Sequence, residues 1–73
     1  MHAPETARAI AERHVCEGEA RITRQIILIE TLQGNGHLQA AETARELLNT
    51  FEDVLEVWRD DLARITRRYR SGA

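Results

Sequence analysis

Reading every third and then every fourth residue from Ala41 gives Ala41, Ala44, Leu48, Phe51, Leu55, Trp58, Leu62, Ile65 and Tyr69. The alternation holds over four heptads, collects every Phe, Trp and Tyr in the chain, and is widened by Leu47 and Val54. Apolar residues at this spacing fall on one side of a 3.6-residue helix, and such a stripe is buried by lying against another helix. The spacing predicts a helix over about 38–69.

The first half carries a second, weaker stripe. Ala11, Val15, Gly18, Ile22, Ile29 and Leu32 share one face, with Ile10 and Ile26 beside it. Pro4 suits a first helical turn and Glu5 the positive end of the dipole, so this helix is expected over about 5–33. Gly18 lies on the stripe, where glycine costs about 1 kcal/mol against alanine. The close approach it permits is expected to make room for Phe51 or Trp58 on the opposite helix. Between the stripes, Gly34-Asn35-Gly36-His37 is the one clear break. Gly34 just past the helix end reads as the cap, and Gly36 as part of a tight reversal. So short a connection makes the two helices antiparallel neighbours.

Ile26, Ile27, Leu28 and Ile29 are consecutive. On a helix they point in four directions about 100° apart, so one neighbour cannot cover them all, and Ile27 faces away from the stripe. A run of this kind points to a second protomer. The expected architecture is therefore all-α: an antiparallel two-helix hairpin (about 5–33 and 38–69) that dimerises into a four-helix bundle. Its core and oligomer seam draws on Ile22, Ile26, Ile27, Ile29, Leu48, Phe51, Leu55, Trp58, Leu62 and Ile65. Residues 1–73 form one domain, with 1–3 and 71–73 frayed.

Size supports the same reading. A chain of 73 residues buries only about 60% of its unfolded surface and normally needs a staple, a metal or a partner. Cys16 is the only cysteine, so no internal disulfide can form. Oligomerisation remains. A net charge of −2 nominates neither nucleic acid nor membrane. All ten basic residues are arginine, which pairs with carboxylates through a planar fork. Folded antiparallel, Arg13 and Arg21 come level with the acidic middle of the second helix (Glu52, Asp53, Glu56, Asp60, Asp61), and Glu5 with its arginine end. No apolar run approaches the roughly 18 residues of a membrane span, and the first 20 residues lack the apolar core of a signal peptide. A cytoplasmic protein is expected, with no membrane contact.

Four places in the sequence bear on chemistry. Di-iron bundles use Glu-x-x-His on facing helices, whereas His14 and Glu17 stand in the reverse order, so neither metal nor other cofactor is expected. Cys16 lies off the stripe with no histidine placed to activate it, and no catalytic residue is assigned: the chain is read as a non-enzyme. The third place is His14-Val15-Cys16-Glu17-Gly18, which resembles the His-x-x-x-Gly core of histidine phosphotransfer domains. That resemblance implies a phosphoacceptor role for His14 on a helical bundle, although Glu17 stands where the family carries a lysine. The fourth is Arg64, Arg67, Arg68 and Arg70, a cluster able to contact phosphates or a partner protein; a dimeric hairpin with such basic side chains resembles, in architecture alone, the Rop-type RNA-binding bundle. Arginines at a helix C-terminus are also favoured by the dipole, and near-neutral charge argues against strong nucleic-acid affinity.

The segments His14-Val15…Glu17-Gly18-Glu19-Ala20-Arg21-Ile22, Gly36-His37 and Ala44-Arg45-Glu46-Leu47-Leu48…Phe51-Glu52 are together similar to a group of short, uncharacterised proteobacterial proteins. The resemblance spans about residues 14–65 and implies a shared helical hairpin, with no activity attached. The reading of the whole chain is a homo-oligomeric interaction or regulatory module, partnered by itself and by an unidentified protein.

Overall fold

The computed structural model describes residues 6–71, the side chains of Tyr69 and Ser71 excepted. Two helices make up the described chain: α1 (Ala7–Gly34) and α2 (Leu38–Ser71). They run antiparallel and pack along their length, as the two stripes require. Pro4, Glu5, residues 1–3 and residues 72–73 of the expected frayed ends lie outside the described residues, as does the Tyr69 side chain at the end of the seam; Ser71, expected in the frayed tail 71–73, is instead the last residue of α2.

α1 starts behind Thr6, whose backbone is extended and whose hydroxyl accepts from Ala9 N–H at 3.1 Å. A side-chain oxygen satisfying an otherwise orphaned N–H is the usual way such an end is held. Gly18 does not interrupt the helix. The other end closes by a Schellman motif: His37 N–H reaches Leu32 C=O at 2.8 Å, and Gly36 N–H reaches Gln33 C=O at 3.1 Å. Gly36 has φ +77°, the left-handed conformation that this motif demands. The cap glycine is thus Gly36, two residues later than the sequence suggested, and Gly34 is the last helical residue. His37 then opens α2, its carbonyl accepting from Ala41 N–H at 3.0 Å.

The two glycines should respond oppositely to alanine. Gly36→Ala puts a Cβ into the left-handed region and should cost about 1–2 kcal/mol. Gly34→Ala meets nothing within 4 Å and should gain up to about 1 kcal/mol through helix propensity. Urea melts followed by circular dichroism separate them; equal midpoints for the two variants would contradict the cap assignment.

Every seam position from Ala41 to Ile65 is buried or half-buried, and so is every stripe position of α1. The buried apolar core is nonetheless thin: Ala11, Ile29, Ala41, Ala44 and Leu55. Alanines let the helices approach near the turn. Further along, a Cβ built on Gly18 would stand 3.0 Å from Leu55 Cδ1, so the glycine makes room for Leu55 rather than for Phe51 or Trp58. The outcome is a slab of 55 × 29 × 13 Å, one helix thick.

Candidate functional site

Two broad flanks border the α1–α2 seam, and they differ in chemistry. One is defined on α1 by His14, Arg21 and Leu28, a heptad apart, and on α2 by Leu47, Val54 and Trp58. The His14 and Trp58 rings stack at 4.0 Å between centroids and 16° between planes. The Arg21 guanidinium stands 5.4 Å from the Phe51 ring centroid, a cation–π contact worth about 0.5–1 kcal/mol when exposed. Leu28, Leu47 and Val54 remain 45%, 46% and 45% exposed.

Nearer the turn this flank holds a shallow hollow of about 440 Å³ lined by Gln25, Leu28, Thr43, Ala44, Glu46, Leu47 and Thr50. Its neutral polar side chains are turned into the protein's own backbone. Gln25, itself buried, donates from Nε2 to Ala44 C=O at 2.8 Å. Thr43 and Thr50 hydroxyls donate to Gln39 and Glu46 carbonyls. With these donors engaged, the hollow offers mainly carbon, and Glu46 is the one charge among its lining residues.

The opposite flank is a groove of about 640 Å³ lined by Glu19, Ile22, Thr23, Glu52, Leu55, Glu56 and Arg59. Arg59 crosses it to pair with Glu19 at 3.2 Å. This cross-helix pair has the polarity opposite to the one expected: the cation comes from α2 and the anion from α1. Arg21, expected to meet the acidic middle of α2, lies over Phe51. Arg13 pairs with Glu17 one turn on at 3.4 Å. These pairs are roughly half exposed and contribute little to stability.

The sequence-nominated chemistry is dispersed. His14 is half-buried against Trp58. Cys16 is exposed. Arg64, Arg67, Arg68 and Arg70 are exposed at the open end of the hairpin, with Arg64 paired to Asp61 at 3.3 Å. Among the described residues no three His, Cys, Asp or Glu side chains converge as a metal ion would need, and no helix is long and apolar enough to cross a membrane. Of the nominated seam, Ile29 and Leu55 are buried, and Ile22, Leu48, Phe51, Trp58, Leu62 and Ile65 half-buried. Ile26 and Ile27 are 42% and 57% exposed on the hairpin alone. Gln25 was the residue that stripe counting passed over. It occupies the stripe position between Ile22 and Ile29, and that spacing could have flagged it as a buried polar group seeking a partner.

Compared with family models, with curated proteins and with solved structures, the chain shows no match.

Proposed function

We propose that the protein is a non-enzymatic module that works by self-association, two hairpins forming a four-helix bundle, and that this dimer acts in the cytoplasm as an interaction or regulatory unit. The observation that carries this reading is surface. The hairpin exposes 5808 Å², whereas a compact monomer of 8.3 kDa exposes about 4,600 Å². Its radius of gyration is 16.7 Å against about 11 Å for a compact domain of this length. The excess, about 1,200 Å² per chain, is the area each partner contributes in a modest obligate homodimer.

A slab one helix thick also leaves large apolar residues half wet. Among the described residues no large side chain is fully buried, so the core of one hairpin is a poor match to the conformational entropy of ordering it. Pairing two slabs converts each half-wet face into a core. Sedimentation equilibrium of the full chain should give twice the chain mass, with unfolding midpoints that rise with protein concentration. A stable folded monomer at all concentrations would reject the reading.

The phosphotransfer alternative gains nothing from the site. The His14 ring is half-buried on Trp58, with Glu17 lining the same hollow, an arrangement suited to packing. Incubation with a phosphodonor should leave no acid-labile label on His14. The arginine cluster likewise gains no second observation in favour of nucleic acid.

A further inference from the structure

We propose that the partner is a second copy of this chain, docked on the flank formed by Leu28, Leu47 and Val54, with its turn at the opposite end of the bundle from the first chain's turn. The inference rests on the self-association proposed above and adds which face is used and in which direction.

The choice of face follows from the contrast between the flanks. Three of the large exposed apolar residues, Leu28, Leu47 and Val54, border one flank, continuous with half-buried Phe51 and Trp58. The other flank presents Glu19, Glu52, Glu56 and Arg59 around Ile22. Burying those charges costs several kcal/mol each unless every one is paired, whereas the first flank, which carries Glu17, Arg21 and Glu46, gathers three large exposed apolar residues and keeps its neutral polar donors near the turn already engaged.

Direction follows from size and charge. Side chains on α2 are small near the turn (Ala40, Ala41, Ala44) and large toward the open end (Trp58, Leu62, Ile65). Two copies with their turns together would set the alanine ends against each other, leaving a gap, and crowd the two tryptophans. Reversing one copy places Trp58 opposite the hollow at Thr43 and Ala44, and Leu47 opposite Val54 of the partner chain. The same reversal sets Glu17 near the level of Arg24 in the second α1. It also separates the two arginine ends, bringing Arg64, Arg68 and Arg70 toward the turn end that carries Glu30, Glu42 and Glu46. Placing like-charged ends together is the arrangement that charge disfavours.

The test uses the full chain with three single substitutions and one pair of labels. Leu47→Glu and Val54→Glu are at positions exposed in the hairpin, so helicity by circular dichroism should persist, while the dimer dissociation constant from sedimentation rises by about 30-fold or more for each. Ile27→Glu, on the outer edge of α1 and therefore outside this interface although the sequence pattern counts it in the oligomer seam, should leave it within about threefold. For direction, spin labels at Asn35→Cys in a Cys16→Ser background should lie about 45 Å apart, since each turn is some 15 residues of 1.5 Å rise from the centre.

A wild-type monomer would end both this inference and the proposal it rests on. A wild-type dimer indifferent to Leu47→Glu and Val54→Glu would overturn the choice of face and leave self-association standing. Labels within about 20 Å of one another would overturn the direction alone.

Discussion

Leu55→Ala is expected to destabilise the protein by about 2–5 kcal/mol, the range for truncating a buried leucine. Leu55 is 4% exposed and, among the described side chains of α2, is the one large apolar residue that is buried. Its Cδ1 methyl lies 3.0 Å from where a Gly18 Cβ would stand, so Gly18 has no side chain with which to fill the cavity that truncation leaves. Total stability for a chain of 73 residues is of order 4–11 kcal/mol at typical values per residue, so the loss is a large share of the whole. Urea unfolding followed at 222 nm measures it; a midpoint unmoved from wild type would mean that Leu55 and Gly18 do not hold the helices together.

The reciprocal change distinguishes close approach from simple propensity. Gly18→Ala gains about 1 kcal/mol as a helix substitution and loses about 0.5–1.5 kcal/mol in turning the Leu55 methyl aside, so it should be nearly neutral. A larger residue there has no such offset and overpacks the seam.

Trp58→Ala is the second large effect, expected at about 3 kcal/mol. That is the low end for aromatic truncations, because the ring is half-buried on one hairpin. Part of the loss is the stack on His14, worth about 0.5–1.5 kcal/mol beyond area burial. A double-mutant cycle with His14→Ala isolates that part as a coupling energy. If the effects of the two substitutions simply add, the rings are neighbours without energetic consequence. Melts at two protein concentrations tenfold apart divide the remainder, since any share of Trp58 burial made in a dimer grows with concentration.

The seam of α2 was legible residue by residue because helical periodicity is a property of one chain segment: once the backbone turns at 3.6 residues, which side chains share a face is settled. The same holds for the reversal at residues 34–37 and hence for the antiparallel pairing. The functional reading was less legible because no nominated group, His14 or the Arg64–Arg70 cluster, carried a second group at chemical spacing.

What only the tertiary structure decided concerns relative rotation and register of the two helices, which depend on how specific side chains interlock. That register puts Leu55 on Gly18, His14 on Trp58, Arg59 with Glu19, and the Gln25 amide on the Ala44 carbonyl. It also decided that Gly36, with its positive φ, caps α1, because two glycines flanking one residue look alike until the backbone hydrogen bonds are traced. The unequal flanks arise in the same way: each helix carries apolar and charged residues on both sides of its stripe, and only their mutual rotation gathers Leu28, Leu47 and Val54 on one flank and Glu19, Glu52 and Glu56 on the other. The sequence by itself therefore determined two helices, their turn and the faces they share. Packing determined which residues meet, because contact between segments is set by side-chain shape across the seam and not by the period within either one.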